Sequence, residues 1–163
     1  MRKLIFVVCF LVGLNNFVSG QALRQSYKTA LGVKVWGDGG GISLKSFVQP
    51  NRAFEGIAYF WNRGSRLTGL YEFHFDIDGA PGLKWYVGPG AHLGFYNNRY
   101  YDRNYYNGDG SGTFIGIDGV LGLDYKFDDV PINLSLDWQP SFEFGVNRGF
   151  VSGWGGLGIR YTF

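Results

Sequence analysis

Cysteine is all but missing from this chain: Cys9 is the single one among 163 residues. It sits in an apolar run near the N-terminus, so the rest of the chain has no thiol, no disulfide and no cysteine metal site. An exported protein without disulfides must be held together by other means, and closure of a sheet into a barrel is one. A membrane-length hydrophobic run is missing too. Leu4 to Leu14 falls short of the roughly 20 apolar residues that a spanning helix needs. No charge of one sign dominates. Lys and Arg total 15 and Asp and Glu total 13, and Arg2 and Lys3 alone account for the difference. No nucleic-acid partner is therefore expected. A sustained 3.6-residue apolar period is absent, and Gly, at 27 residues, recurs too often for helices. Phosphate loops, zinc motifs and nucleophile elbows are absent, and no cofactor is expected.

What is present begins with an export signal. Arg2 and Lys3 form a positive start, Leu4 to Leu14 an apolar segment, and Val18-Ser19-Gly20 supplies small residues for cleavage. Residues 1–20 are expected to be removed, leaving Gln21 as the mature N-terminus and 21–163 as a single domain. Aromatic residues make up 19% of the chain while hydrophobic residues stay at an ordinary 45%. A membrane helix gathers its apolar residues into one run. A membrane barrel spreads them over every second position, so its average looks unremarkable.

Alternation is the strongest signal. From Ile132 to Phe144, Ile132, Leu134, Leu136, Trp138, Phe142 and Phe144 alternate with Asn133, Ser135, Asp137, Gln139, Ser141 and Glu143. The side-chain period of a strand is two, so one face is apolar and the other polar. Toward the C-terminus, Val151, Leu157, Ile159, Tyr161 and Phe163 share one face, and Ser152, Trp154, Arg160 and Thr162 the other. Eight strands are predicted, at Tyr27–Gly37, Gly41–Val48, Phe54–Asn62, Arg66–Asp76, Leu83–Tyr96, Thr113–Phe127, Ile132–Phe144 and Val151–Phe163. Turn chemistry separates them at Asp38-Gly39-Gly40, Gln49-Pro50-Asn51, Arg63-Gly64-Ser65, Asp78–Gly82 and Asp128–Pro131. The fold class is all-β, an eight-stranded antiparallel up-and-down transmembrane barrel.

Volume decides which face is outside. The interior of an eight-stranded barrel is just wide enough to be filled by side chains. Rings such as Trp85, Trp138, Tyr71 and Tyr125 would overfill it, so the apolar set is expected to meet lipid. In the third strand Glu55 is expected inward, with Phe54, Ala58 and Phe60 outward. Lys28 and Trp36 in the first strand, and Asp76 at the end of the fourth, are also expected inward. An even strand count puts both termini on the periplasmic side and the longest connection, Asn97 to Gly112, outside. Tyr27, Phe73, Phe75, Trp85, Tyr125, Phe127, Tyr161 and Phe163 then form an aromatic girdle at the periplasmic rim.

The terminal Gly158-Ile159-Arg160-Tyr161-Thr162-Phe163, the alternating strands and the export signal together resemble the small eight-stranded outer-membrane barrels of the OmpA/OmpX type. The segments Trp85–Gly90 and Gly119–Phe127 are similar to uncharacterised outer-membrane β-barrel domains. The resemblance implies the cell outer membrane of a Gram-negative-type envelope, a lipid surround, and a monomer. It also implies that the barrel assembly machinery reads Tyr161 and Phe163. With the chain stopping at Phe163, no peptidoglycan-binding domain and no wall anchoring are expected.

Four constellations bear on function. The inward set contains Lys34, Lys45, Glu55, Arg66, Glu72, His74, Lys84, His92, Asp118, Asp124, Lys126, Asp137, Glu143 and Arg160. It reads either as the lining of a selective pore or as a plug of ion pairs, and limited lumen and the cost of unpaired buried charge favour the plug. His74 with Glu72 has the make-up of a general base and its orienting carboxylate. Some small outer-membrane barrels are lipid A deacylases or acyltransferases, but both His74 and His92 are expected to point inward, away from lipid. Asn107 to Gly112 with Asp118 half-matches a calcium loop, and a glycine-rich turn explains it better. Tyr100, Tyr101, Arg103, Tyr105 and Tyr106 in the long connection suit either contact with an extracellular ligand or a cluster at lipid headgroups. The expected role is structural or surface-interacting and non-enzymatic, not a wide pore. The alternatives are a lipid-modifying enzyme of the outer membrane and a secreted lipocalin-like carrier with the apolar set inside.

Overall fold

The computed structural model describes residues 27–96, 112–144 and 148–163. The expected signal peptide, residues 97–111 of the long connection and the tyrosine cluster within them lie outside the described residues. Every regular element described is a strand: β1 Thr29–Trp36, β2 Gly39–Gln49, β3 Arg52–Trp61, β4 Gly64–Asp76, β5 Leu83–Tyr96, β6 Thr113–Lys126, β7 Ile132–Trp138, β8 Ser141–Phe144, β9 Phe150–Val151 and β10 Gly155–Thr162. Each pairs antiparallel with its neighbours. β7 and β8 run end to end along β6, and β10 and β9 run end to end along that pair. The ten segments therefore build eight walls. β1 and β10 close them into a barrel, from Ala30 opposite Thr162 to Val35 opposite Leu157. Thr29 and Phe163 exchange both backbone hydrogen bonds at the end of that seam, at 3.0 and 2.9 Å. Closure pairs the backbone groups that an open sheet edge would leave unpaired.

The pleat separates two chemistries. Ile115 and Ile117 are each 56% exposed and Leu136 is 50% exposed, while Arg66 and Arg160 are each 1% exposed. A protein folded in water does the reverse with its arginines. The outer wall is a continuous apolar band and the lumen is polar, so the lipocalin-like alternative, which needs the apolar set inside, is overturned. In β3, Glu55 faces in and Phe54 and Phe60 face out. The termini and the turns at residues 50–51, 77–82 and 127–131 share one end, called here the terminal end. Turns 37–38 and 62–63 lie at the other, distal end.

Several local expectations are corrected. The first and third hairpins turn at Gly37-Asp38 and Asn62-Arg63, one residue earlier than the predicted triplets, and the second turns at Pro50-Asn51, inside its own. Gly37 takes φ +57°, the conformation a tight turn needs, so the glycines after it can pair in β2. At the terminal mouth Lys28 is exposed, and Asp76 is exposed and pairs with Lys84 at 3.0 Å on the rim. Tyr27 is not part of the girdle. Its hydroxyl donates to Asp124 at 3.3 Å and its ring packs edge-on against Phe47, because the chain enters β1 from inside the mouth. Phe75 and Trp85 do stack on the outer face at this end, with ring centroids 4.4 Å apart.

The largest correction lies in the last two walls. The seventh is interrupted at Gln139-Pro140, since Pro140 has no N–H to give the ladder, although register against β6 continues unchanged. Opposite this break, three residues, Ser152 to Trp154, face the two residues Gln139 and Pro140. One extra residue reverses facing beyond it. Phe150 therefore points out and pairs with outward Phe142, while Val151 sits opposite inward Ser141. Val151 was expected outward with Leu157, and Ser152 inward, where it is exposed. The bulge's free carbonyls are capped by indoles from the flanking walls. Trp36 Nε1 donates to Gly153 O and Trp138 Nε1 to Ser152 O, each at 2.8 Å. Trp36, expected inside, thereby stands at the distal rim, 40% exposed and lining the mouth.

Two outcomes are expected. Unboiled protein in dodecyl sulfate should migrate differently from boiled protein, because a closed barrel resists detergent; identical mobility of correctly folded protein would count against closure. Trp36→Phe and Trp138→Phe should each destabilise the barrel by about 0.5–1.5 kcal/mol, the net worth of one hydrogen bond, in urea titrations of refolded protein.

Candidate functional site

The site that the barrel builds is its own lumen, where side chains from all eight walls meet. The centre of the terminal half is Glu55 on β3. Its Oε1 accepts from Ser43 at 2.7 Å and Arg160 at 2.5 Å and lies 3.3 Å from Lys34. Lys45 lies 3.6 Å from its Oε2. The three cations extend the network around the wall. Lys34 reaches Asp137 at 2.6 Å, and Lys45 reaches Glu72 at 2.8 Å and Asp124 at 3.3 Å. Arg160 also donates to Asn133 at 3.1 Å and Ser135 at 2.8 Å. Asn133 in turn donates to Asp124 at 2.6 Å. All of these groups are buried. Each cation therefore sits among carboxylates, which offsets the cost of removing it from water.

Tyr86 is the member whose role the alternation did not reveal. It is fully buried on β5, its hydroxyl donates to Asp137 at 2.6 Å, and its ring carries Lys45 on one contact and stacks on His74. Gly122 opposite makes the room: a Cβ there would stand 2.6 Å from the Tyr86 ring. The interior glycines Gly94 and Gly116 serve Phe114 and His92 in the same way, and Gly156 the stem of Lys34. Most of these glycines make room for rings. A tyrosine flanked by wall glycines in an otherwise polar alternation is the signal that would have found Tyr86.

His74 Nε2 lies 2.9 Å from Glu72 Oε2, the oxygen that Lys45 also contacts. His74 and Glu72 are 2% and 0% exposed. They are a pair inside the network, closed off from the bilayer. His92 has a carboxylate that sequence neighbours did not suggest: Asp118 of the adjoining wall lies 2.9 Å from its Nδ1. Arg66 joins them, 2.5 Å from Asp118 and 3.0 Å from His92, with Thr68 on its Nε at 3.1 Å. Asp118 thus sits on the inner wall within a salt-bridged triad. Glu143, nearer the distal mouth, pairs with Arg148 at 2.9 Å.

Between the two halves of the lumen lies something no charge pattern announces. Ile57, Leu70, Val120 and the Tyr86 ring form one buried apolar cluster with Tyr59, and Trp61 and Trp154 pack on it from the distal side. Along the walls of β3 to β6 the lumen is therefore layered: ion pairs, an apolar cluster, then the Arg66–His92–Asp118 triad, while on β7 and β8 the buried Gln139 and Ser141 carry the polar face past that cluster. Tyr161 and Phe163 stand on the outer face at 59% and 64% exposure.

A closed antiparallel barrel of eight walls, apolar outside and packed with paired charge inside, has the architecture of the small OmpA-type outer-membrane barrels. The crystal structure of the N-terminal beta-barrel domain of Pseudomonas aeruginosa OprF is similar to this chain, with a TM-score of 0.58 and 20% sequence identity over 83% of this chain and 94% of that one. That likeness shows the fold. No protein-family model matches the chain, and no curated protein matches it.

Glu55→Gln should be among the most damaging single changes. It removes the charge on which Lys34, Lys45 and Arg160 converge, and stranding buried charge costs about 3–5 kcal/mol. Asp76→Asn on the rim should cost about 0–1 kcal/mol. Urea titration of refolded protein checks both, and equal effects would refute the central place given to Glu55.

Proposed function

We propose that this chain is a small monomeric β-barrel of a cell outer membrane, non-enzymatic, with a structural or surface-interaction role and without a wide pore. The single observation that carries this reading is the filled lumen. Cations and carboxylates from several walls meet in it around Glu55, and the Ile57–Leu70–Val120 cluster fills the space beside β3 to β6. Paired charges and packed side chains together leave no wide polar channel through the lumen. The apolar outer wall supports a lipid surround, and the likeness of the fold to the OprF barrel supports the outer membrane. Tyr161 and Phe163, on the outer face of the closing strand, suit an end that the barrel assembly machinery reads. Both imidazole–carboxylate pairs, His74–Glu72 and His92–Asp118, are enclosed. A lipid-cleaving site must open to the bilayer, so this enclosure favours the non-enzymatic reading over a lipid-modifying enzyme.

The orientation proposed puts the terminal end in the periplasm and the distal end in the external medium, since the longest connection, 97–112, leaves from the second. That connection, with Tyr100, Tyr101, Arg103, Tyr105 and Tyr106, is the proposed contact for an extracellular ligand.

Two measurements test this. Protein reconstituted into planar bilayers should show no steady, large conductance; a stable conductance of the size of a sixteen-stranded porin would overturn the filled lumen and make transport the function. Leu121→Arg and Leu136→Arg, outward and near mid-height, should each cost about 2–4 kcal/mol in lipid vesicles. Gly116→Arg should instead fail by collision with the His92 ring, which a mere Cβ would approach to 2.5 Å, and its cost should not vary with bilayer thickness. A silent Leu121→Arg would refute the lipid-facing assignment.

A further inference from the structure

The distal mouth holds a cavity of about 440 Å³, within the range of small-molecule sites. Its aromatic lining does not belong to a lipid-facing girdle. Tyr59 is 6% exposed and packs on the apolar layer, and Trp154 lies over the Arg66 guanidinium at 4.4 Å. Trp154 meets Tyr59 and Trp61 edge-on, with ring centroids 5.7 and 5.2 Å apart. Edge-on packing turns rings in different directions, so the wall of the cup presents both faces and edges. The bulge at Ser152–Trp154 puts Trp154 there, and the Trp36–Gly153 hydrogen bond holds it. The Tyr59 hydroxyl is spent on the carbonyls of Trp36 and Gly39. It fixes the ring and leaves the ring surface as what Tyr59 offers the cavity.

Charge around the cup is balanced. Asp38 and Glu143 line it together with Arg63, and Glu143 is paired with Arg148. A cup of this kind does not select an ion of either sign. It suits a neutral molecule with flat C–H surfaces for the rings and hydroxyls that both donate to carboxylates and accept from a guanidinium. We propose that the distal cup binds a neutral sugar ring, stacked against Trp61 and Trp154, with its hydroxyls toward Asp38 and Arg63. The sugar belongs either to a glycolipid headgroup in the same membrane or to a free glycan from the medium.

This rests on the proposed orientation, which a separate measurement tests. Asp38→Cys should be labelled by an impermeant maleimide on intact cells, and a failure to label refutes the orientation without touching the cup. The cup is tested on purified, folded protein in a polyoxyethylene detergent, which carries no sugar. Glucose, galactose, N-acetylglucosamine and a glycolipid added to the micelles are titrated against tryptophan fluorescence and by calorimetry. Saturable binding of at least one is expected, and response to free sugar or only to the glycolipid identifies the source. Trp61→Ala should weaken it about tenfold, the loss of one ring contact, and Trp85→Phe on the outer wall should leave it unchanged. Heat-modifiable mobility reports whether Trp61→Ala folds; should it not, Asp38→Asn, in an exposed turn, must weaken binding instead. No saturable response to any sugar, saturation by tetramethylammonium or sulfate in place of sugar, or unchanged affinity in the folded variants overturns the proposal.

Discussion

A sheet of eight walls closed on itself encloses a space that side chains must fill, and nearly everything else in this molecule follows from that restriction. Backbone groups along the closing seam are satisfied by Thr29 and Phe163 and by the β1–β10 ladder. Closure then forces the inward half of every strand into one small volume. A charge placed there has no bulk water to turn to and must meet its opposite across the lumen. Glu55 shows the consequence: three cations from β1, β2 and β10 converge on a carboxylate from β3. Each wall is thereby tied not only to its neighbours by backbone hydrogen bonds but also to walls across the lumen by charge.

The same small volume explains the layering. A lumen filled only with ionic groups would need each to find complementary partners at every height. Ile57, Leu70 and Val120 relieve this on the β3–β6 side, where they stand between the Glu55 network and the Arg66–His92–Asp118 triad. The Arg66–His92–Asp118 triad stands on the distal side with its own carboxylate. Tyr86 bridges the layers, with a ring in the apolar cluster and a hydroxyl on Asp137. Glycines on adjoining walls make such rings possible, because a ring and a Cβ cannot share that space.

The bulge in the last wall is where the fold departs from regularity and gains a surface of its own. One extra residue opposite Gln139-Pro140 reverses the facing of Phe150 and Val151 and exposes two carbonyls that Trp36 and Trp138 cap. Below it the alternation is regular apart from a register shift between Phe47 and Gln49 in β2. Above it Trp154 swings over Arg66 and shapes the aromatic cup. A local irregularity thus converts an end of a packed barrel into a concave site, which is consistent with the tendency of bulges to lie at barrel rims and to re-aim side chains.

The sequence by itself determined the class of fold, the number of walls and the facing of most residues. Those properties depend on a period of two along the chain and on side-chain volume, both local and both readable from Ile132–Phe144 or Thr113–Phe127 without knowing any partner. It also located inward charges such as Lys34, Glu72 and Asp137. Only the tertiary structure decided who pairs with whom. His92 and Asp118 stand 26 residues apart and meet because two walls adjoin, and Arg160 meets Glu55 across a separation of 105. The reversal at Val151, the inward turn of Tyr27 and the capping of the bulge by Trp36 were likewise invisible. Each depends on a register, a mouth or a free carbonyl that exists only once the walls are closed, and a one-residue slip leaves no mark in the composition of the strand that carries it.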